Sequence, residues 1–542
     1  MKMLTKSSLL LLLCYLLGSL ISSSNGLPLS TNKRWIVDEA TGKRVKLVCA
    51  HWVGHLSPMV VEGLDKLPLN DIVDQFHDKG FNCVRLSYST YLFTRYANQT
   101  VAKTLSGLDL PEATKSAIAK HNPWVLNRTH LEAYETVVDA LDKKGVMTII
   151  DNHVSFPNWC CDNADGNGFF GDRHFDPDEW LRGLAFVAGH FKEKSHVIAV
   201  DLRNELRGAR QNKHDWYDYV RKGARTIHKA NPKVLVIVSG LNFDSDFTFL
   251  KKKGLDLDDL GHKLVYEMHL YSFTGPAQDR WTIQPLNRIC ADTIESLVNG
   301  QSAFLMSGEN AAPLFVSEFG YDMRGLTPSD NNFVPCFTAY AAAADLDWSL
   351  WAFGGSYYER QGQIGVEEAY AVLDDTWKNY RDPNFTDKFQ LLQRMVQDPS
   401  SNTGKSHILF HPLSGGCVHV NKETNKLEIG SCNENYSRWS YEGDGSPIRS
   451  LESNVCLKTT GEGHSVRVSR DCLSEQSSWK QVSATGLHLA TRDQIGRHNL
   501  CLQKDSNSSN IITSKCICIG NDSKCMDNPQ SQWFQLVPTN VH

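Results

Sequence analysis

Beyond its first 26 residues the sequence lacks an apolar run long enough to cross a bilayer, and it has no basic tract. A membrane-spanning helix needs about 20 apolar residues, so we expect no membrane partner once the leader is removed. The formal net charge is −5 over 542 residues, and so mild a charge argues against a nucleic acid partner. The segment DNADGNG at 162–168 is faintly similar to a calcium loop but lacks the closing glutamate. We therefore predict no metal site and no cofactor.

The leader, residues 1–26, is typical of a secretory signal peptide, because two lysines precede an apolar stretch at 9–21 and small residues follow. We expect cleavage between Ser22 and Gly26, with an uncleaved anchor as the alternative. Of the 15 cysteines one lies in the leader, which leaves 14, an even number that suits an oxidising compartment. The predicted location is extracellular or the cell wall. Six N-x-S/T sequons are candidate glycan sites: Asn98, Asn127, Asn384, Asn435, Asn507 and Asn521.

Composition divides the rest of the chain into two parts. About 515 mature residues exceed what one hydrophobic core supports. Apolar periodicity stops at VQDPSSNTGKSH, residues 396–407, where turn-forming residues gather. Six cysteines lie in 27–395, against eight after residue 405. We therefore predict a first domain at 27–395, a linker at 396–406 and a second domain at 407–542.

The second domain repeats one unit three times, with two cysteines in each unit and a tryptophan after the second. The cysteine pairs are Cys417 and Cys432, Cys456 and Cys472, and Cys501 and Cys516, and the tryptophans are Trp439, Trp479 and Trp533. Two more cysteines, Cys518 and Cys525, fit a small loop of their own. Units of about 40 residues suggest a closed β architecture with pseudo-threefold symmetry. On this spacing, and on the strings VCLKTT, LCLQKD and S-x-W, the region resembles the ricin B-like β-trefoil lectins.

The resemblance does not extend to the residues that bind sugar in that family. The family places a sugar-binding aspartate two residues after the first cysteine of an active unit, and those positions here hold His419, Lys458 and Gln503. A short carboxylate that accepts two sugar hydroxyls is therefore missing from all three units. A second glycan partner at this domain is disfavoured, and we expect an appendage that stabilises or spaces the first domain.

The first domain alternates eight strand-like runs with segments that carry apolar residues at helical spacing. The runs are 46–52, 81–88, 145–153, 197–203, 234–240, 264–271, 313–320 and 348–355. Eight β-then-α units predict an α/β fold, a (β/α)8 TIM barrel, which the all-β trefoil domain follows. Long insertions follow the second and third strands. The second insertion contains adjacent Cys160 and Cys161, which we expect to pair elsewhere rather than with each other.

Polar residues recur at the carboxyl end of nearly every run. They are Arg85, His153, Asn204, Glu205, His269, Tyr271, Glu318 and Trp351. Each alone is explained by a surface ion pair, a satisfied core histidine or core packing. Packing does not explain why all of them share one end of consecutive strands. In a parallel α/β barrel that end carries the reactive groups, and glycoside cleavage requires two facing carboxylates.

This constellation resembles glycoside hydrolase family 5, the cellulase family of (β/α)8 retaining enzymes, over residues 30–395. The resemblance implies that Glu205 is the general acid/base and Glu318 the nucleophile. In these roles Glu205 needs a raised pKa, whereas Glu318 must be ionised. Arg85 and Tyr271 would hold Glu318 charged and correctly aimed.

The remaining residues would act on the sugar. Asn204 would bond the 2-hydroxyl, a contact that strengthens in the transition state. His153 and His269 would bind sugar hydroxyls or tune Glu205, and Trp351 would offer a face on which a pyranose ring stacks. Four more tryptophans on the catalytic face are candidate platforms or core residues: Trp52, Trp124, Trp159 and Trp281.

The predicted activity is that of a secreted endo-β-1,4-glucanase acting on a β-linked glycan. The shared residues do not separate this activity from a β-mannanase, a β-glucosidase or a transglycosylase of the same fold. An alternative of another class is a secreted glycan-binding protein with an inactive barrel. The intact pair of Glu205 and Glu318 argues against that alternative.

Overall fold

The computed structural model describes residues 27–275, 278–432, 437–493, 498–520 and 524–541. The predicted signal peptide lies outside the described residues, as do the sequons at Asn435 and Asn521. Within the described ranges no helix combines the length and apolar character needed to span a bilayer.

Eight parallel strands close into a barrel in which each strand pairs with the next and β8 pairs with β1. They are β1 Val48–Trp52, β2 Cys83–Ser89, β3 Met147–Val154, β4 Val197–Asp201, β5 Leu235–Val238, β6 Leu264–Leu270, β7 Leu314–Phe319 and β8 Asp347–Leu350. Almost every residue in them is buried, as strands covered on both faces require. The predicted TIM barrel is confirmed, although β8 ends five residues before the predicted run.

In the described part of the chain, seven α-helices of seven or more residues surround the barrel. They are α1 Leu69–Asp78, α2 Glu112–His121, α3 His130–Lys143, α4 Pro177–His190, α5 Lys213–Ala230, α6 Leu286–Asp292 and, after β7, α7 Pro328–Ala344, of which α2 belongs to the insertion after β2. The other helical segments of this domain are Thr90–Thr94, Val101–Ser106, Pro123–Leu126, Leu241–Asp244, Thr248–Lys251, Asp258–Leu260, Arg280–Ile283, Thr293–Asn299, Ala303–Met306 and Phe385–Phe389. Side-chain caps define several starts, since Thr129 and Glu132 form a capping box at α3. The unit after β5 departs from the predicted pattern, because short turns stand there in place of a long helix.

The two ends of the barrel differ in polarity. Apolar side chains fill the amino end, where Ile149, Leu235 and Phe315 pack together beneath the hairpin Leu29–Asn32 and Trp35–Asp38. The buried residues of the predicted site lie at the opposite end, whereas the buried ion pairs of Arg44 and Lys46 with Asp345 lie at the amino end. The predicted reactive groups are therefore at the carboxyl ends of the strands.

Three disulfides lie in the first domain, and one of them corrects a prediction. Cys49 bonds Cys83 between β1 and β2, and Cys290 bonds Cys336 between α6 and α7. The expectation that Cys160 and Cys161 pair elsewhere is wrong, because they bond to each other. The peptide between them is cis.

The chain after residue 405 forms a separate all-β antiparallel region. Its strands are β9 Ser406–His411, β10 Gly416–Val420, β11 Leu427–Gly430, β12 Arg438–Ser440, β13 Arg449–Ser450, β14 Cys456–Lys458, β15 Arg467–Ser469, β16 Lys480–Gln481, β17 Leu489–Arg492, β18 Asn499–Lys504, β19 Ile511–Lys515 and β20 Gln535–Thr539. The three predicted cysteine pairs are disulfides, and so is the small loop from Cys518 to Cys525. The three repeat tryptophans are fully buried.

The second region packs directly on the barrel domain through α6. The side chain of Asn287 in this helix accepts a hydrogen bond from Trp533 Nε1 at 2.9 Å and donates to the Cys518 carbonyl at 2.6 Å. Leu487, Trp533 and Val537 belong to the same hydrophobic cluster as the outer barrel. The two regions therefore share packed surface, and Asn287 satisfies polar groups within it.

Substitution of Asn287 by alanine should lower the free energy of unfolding by about 2 kcal/mol, because the buried indole N–H of Trp533 loses its acceptor. Guanidinium denaturation followed by tryptophan fluorescence measures this change. Asn299→Ala is the control, because Asn299 is exposed and bonds only within its own helical segment. Equal stability of the two variants would contradict the role assigned to Asn287.

Candidate active site

A cavity of about 580 Å³ opens at the carboxyl end of the barrel. Six of the eight predicted residues line it: His153, Glu205, His269, Tyr271, Glu318 and Trp351. The other two, Arg85 and Asn204, are fully buried and bond to each other at 3.1 Å. A cavity of about 830 Å³, lined mainly by residues 250–266 and 304–312, contains none of the eight. The strand-end set therefore forms one site.

Glu318, the penultimate residue of β7, is 5% exposed and is held by two donors. Arg85 Nη1 donates to its Oε1 at 2.7 Å, and Tyr271 Oη donates to its Oε2 at 3.1 Å. Burial raises the pKa of Glu318 to about 7, against the lowering effect of His269 and Arg85. The two donors aim the carboxylate and stabilise its charged form.

Arg85 is surrounded by carboxylates that the sequence prediction did not include. Its guanidinium contacts Asp201 at 2.6 Å, Asp151 at 3.2 Å and Glu267 at 3.4 Å, besides Glu318. Burial opposes the positive charge, but these acidic neighbours raise the pKa of Arg85 well above its ordinary value. A buried ion of this kind is tolerated only when its hydrogen bonds are satisfied. Arg85 is therefore a fixed cation beneath both glutamates.

Glu205 follows β4 in a left-handed backbone conformation, with φ of 44°. The backbone N–H of Glu205 donates to Asp244 Oδ2 at 2.9 Å, and its Oε1 lies 2.8 Å from His269 Nδ1. On its other side, His269 Nε2 lies 3.5 Å from the same Asp244 oxygen. Although burial opposes protonation, Glu318, Glu205 and Asp244 raise the pKa of His269 to about 9. His269 is therefore a cation between three acids.

The expected raised pKa of Glu205 is wrong for the free site. Burial acts to raise the pKa of Glu205, but the hydrogen bond from His269 and its positive charge outweigh burial and lower it. The sequence indicated that His269 would be near, but it did not show that three acids keep the imidazole charged. In the free site the proton therefore rests on His269 rather than on Glu205.

His153 and Trp351 form one wall of the cavity. The Nδ1 atom of His153 lies 2.7 Å from Asp151 Oδ2, and its ring stacks against His55 with centroids 4.0 Å apart. Burial, together with Arg85 and His269, holds the pKa of His153 well below its usual value. His153 is therefore neutral and offers Nε2 to the cavity side. The Trp351 ring lies 5.8 Å from that of His153 and nearly parallel to it.

Only one of the four additional tryptophans lines the cavity. Trp159 meets Trp351 edge to face at 6.1 Å, and Arg360 lies over its ring at 3.6 Å. Trp52 and Trp281 are core residues whose indole N–H groups donate to backbone carbonyls. Trp124 packs at the edge of the core and donates to Asn122. Trp351 and Trp159 therefore line the cavity, beside the half-exposed Phe273.

Several functional neighbours were missed by the sequence interpretation. Asp151, Asp201 and Glu267 lie inside strands β3, β4 and β6, and Asp244 lies after β5. The signal was present, because an acidic residue inside an otherwise apolar strand must have a partner. Asp151, Asp201 and Glu267 share the partner Arg85, which is 66 to 182 residues away along the chain, whereas Asp244 contacts Glu205 and His269. Only the closed barrel brings these groups together.

The three positions where sugar-binding aspartates were missing in the second region have internal partners. His419 Nε2 lies 2.9 Å from the Ser431 carbonyl, and Lys458 bonds Asp471 at 2.5 Å. Gln503 accepts a hydrogen bond from Gln532 at 2.9 Å. Each of the three side chains therefore has a hydrogen-bond partner within the fold.

Comparison with known proteins gives consistent matches. The family model "Cellulase (glycosyl hydrolase family 5)" matches residues 40–356. A glycosyl hydrolase 5 family protein of Chamaecyparis obtusa is 43% identical over 548 residues, which cover 98% of this chain and 97% of that protein. An endoglucanase of Paenibacillus polymyxa is 22% identical over 369 residues, 64% of this chain and 83% of its own length.

Among solved structures, the catalytic domain of the major endoglucanase from Xanthomonas campestris pv. campestris superposes with a TM-score of 0.54 at 20% identity. The match covers 67% of this chain and 98% of that domain. At this identity the likeness concerns the fold.

The charged state of His269 predicts how stability depends on pH. Its folded pKa of about 9 exceeds the unfolded value, so the stabilisation is complete below about pH 6.5 and is lost as the pH rises through about 9. The full effect is on the order of 3 kcal/mol. Urea denaturation should show stability falling between pH 7 and 9 in the parent protein, and a flatter profile in His269→Gln.

His130→Gln is the matched control, because burial lowers the pKa of His130 to about 4. A lowered histidine pKa contributes stability at neutral pH that is lost on acidification below about pH 6.5. This variant should therefore change the acidic side of the profile alone. Parallel profiles of His269→Gln and the parent between pH 7 and 9 would contradict a charged His269.

Proposed function

The chain belongs to glycosyl hydrolase family 5, and on that premise we propose that it is a secreted, retaining β-glycoside hydrolase that acts on β-linked polysaccharide. The observation that carries the proposal is the approach of the two glutamates. A carboxylate oxygen of Glu205 and one of Glu318 lie within 4.8 Å of each other. Retaining enzymes hold their carboxyl groups about 5 Å apart, whereas inverting enzymes leave room for a water molecule with about 6.5–9.5 Å. The spacing favours retention.

In the first step an ionised oxygen of Glu318 bonds to the anomeric carbon while the glycosidic C–O bond breaks. The electron pair of that bond goes to the leaving oxygen, which takes a proton from Glu205. Glu205 receives this proton from His269 across 2.8 Å, because His269 carries it in the free site. Arg85 and Tyr271 keep Glu318 ionised before the attack. The product is a glycosyl ester on Glu318 and a free leaving group.

In the second step Glu205, now a carboxylate, accepts a proton from water and passes it back to His269 across the same contact. The water oxygen bonds to the anomeric carbon, and the ester bond to Glu318 breaks with its electrons returning to the carboxylate. Two inversions give net retention of configuration. A sugar acceptor in place of water would give transglycosylation by the same route.

Endo-β-1,4-glucanase activity is the substrate assignment that we favour. Relatives named endoglucanase support it, as do the aromatic faces of Trp351, Trp159 and Phe273 around the cavity. One of these relatives is named a major extracellular endoglucanase, which supports secretion. For the second region we propose a ricin B-like β-trefoil at 407–542, joined by a linker at 396–406 to the hydrolase domain at 27–395. Its role is to stabilise or space the hydrolase.

The secreted protein should cleave one series among cello-, manno- and xylo-oligosaccharides of four to six units and release products with the starting anomeric configuration. NMR spectra recorded during the reaction give configuration, and product lengths separate internal from terminal cleavage. Cleavage of the cello series at internal bonds is expected. Terminal release of single sugars would support the β-glucosidase alternative, and cleavage of the manno series alone would support the mannanase.

Glu318→Gln should abolish turnover on every substrate, because the amide is not a nucleophile. Glu205→Gln should lose about 10²–10⁴-fold on oligosaccharides, yet much less on aryl glycosides whose leaving group needs no proton. Glu359→Gln, an amide substitution next to Arg360 but outside the cavity lining, should keep parent activity. Turnover by Glu318→Gln equal to the parent would contradict the two-glutamate mechanism. No turnover by any form would favour the glycan-binding alternative.

A further inference from the structure

The bonded pair Cys160–Cys161 lies in the cavity wall, next to the reactive groups. Both cysteines line the cavity together with Glu205 and Glu318. Their sulfur atoms each lie 3.6 Å from Nδ2 of Asn204, the residue directly before Glu205. None of the roles proposed so far uses this disulfide, and a loop disulfide for stability alone would not need to contact the site.

The contacts of Asn204 define which way its amide points. Its Oδ1 accepts a hydrogen bond from Arg85 Nη2 at 3.1 Å, and a guanidinium can only donate. The NH2 group must therefore face the two sulfurs. Asn204 is fully buried, and among the described residues the sulfurs are the hydrogen-bond partners of Nδ2. Sulfur is a weak acceptor, so it aligns the donor without binding it as strongly as a hydroxyl would.

The loop that carries the disulfide is anchored to the strand end that carries Asn204. Arg203 donates to the Asn167 carbonyl at 2.5 Å and to Ser155 Oγ at 3.2 Å. Arg207 Nε donates to the Asp162 carbonyl at 3.1 Å. Both guanidinium groups are buried, so solvent does not compete for these bonds. Hydrogen bonds to residues before and after the two cysteines therefore fix the position of the sulfurs relative to Asn204.

We propose that the Cys160–Cys161 disulfide is a positioning element of the sugar site, which holds the Asn204 amide ready to donate to the 2-hydroxyl of a bound β-pyranoside. The proposal rests on the proposed glycosidase function and adds to it a determinant of specificity. The ligand class is a β-pyranoside with a free 2-hydroxyl. On binding, one N–H of the amide turns from the sulfurs to the sugar oxygen and makes a stronger hydrogen bond, while the sulfurs remain part of the cavity wall with Trp159 and Trp351.

The test compares an aryl β-cellobioside with its analogue that lacks the 2-hydroxyl on the reacting sugar. Cys160→Ala/Cys161→Ala should lower kcat/KM for the parent substrate by about tenfold, the equivalent of one hydrogen bond, and should hardly change it for the 2-deoxy analogue. Cys160→Ser/Cys161→Ser should recover part of the preference, because serine hydroxyls accept hydrogen bonds from the amide. Asn204→Ala should remove the preference, with no further loss when combined with the alanine pair.

The control is Cys290→Ala/Cys336→Ala, which removes a buried barrel disulfide outside the cavity and should leave the ratio of the two substrates unchanged. The proposal would be overturned if the Cys160 and Cys161 variants left the ratio of kcat/KM for the two substrates unchanged, whether or not activity fell on both. Thermal unfolding of each variant identifies any that fails to fold, and the serine pair then serves in place of the alanine pair.

A crystal structure of the alanine pair tests positioning without turnover. The expected result is a rotated Asn204 side chain that has left Arg85 Nη2, and an unmoved side chain would overturn the proposal. Failure of the proposed function has a different signature, because the parent protein would then hydrolyse neither the cellobioside nor its analogue. The crystallographic result decides the role of the disulfide in that case as well.

Discussion

The buried guanidinium of Arg85 is the group on which the catalytic end of the barrel depends. It contacts carboxylates from four strands, Asp151, Asp201, Glu267 and Glu318. Removing a single charge from such a cluster leaves the remaining ones without compensation in a low-dielectric interior. The acids are tolerated because Arg85 is present, and Arg85 is tolerated because of the acids. This mutual requirement fixes the positions of the strand ends more strictly than apolar packing would.

His269 adds a second, movable positive charge above this fixed one. It lies between Glu205, Glu318 and Asp244, and its distances to Glu205 and Glu318 are 2.8 and 3.6 Å. A guanidinium keeps its proton at any accessible pH, whereas an imidazole can transfer one. In the proposed mechanism a permanent cation aims the nucleophile, and a titrating cation supplies the proton of the acid. The difference proposed between the roles of the two glutamates follows from this difference between their cationic partners.

The all-β region contributes to this arrangement from outside the cavity. It packs on α6 through Asn287 and Trp533, and Gln390 bonds the backbone of Cys432 at 2.7 Å. Both contacts lie on the outer surface of the barrel domain, away from the residues that line the cavity. The segment between the two regions is also packed, since the backbone N–H of Val396 donates to Asp345.

The sequence by itself determined the eight barrel strands, the threefold repeat of cysteine pairs and the set of strand-end residues. Periodicity and spacing are local properties, and the carboxyl ends of parallel strands must meet at one face, so Glu205 and Glu318 could be placed together without coordinates. Only the tertiary structure decided the protonation states of the site residues. The lowered pKa of Glu205 and the raised pKa of His269 follow from distances between groups on different strands, and electrostatic interaction depends on separation in space and on burial. The bond between Cys160 and Cys161 was likewise established only by the tertiary structure.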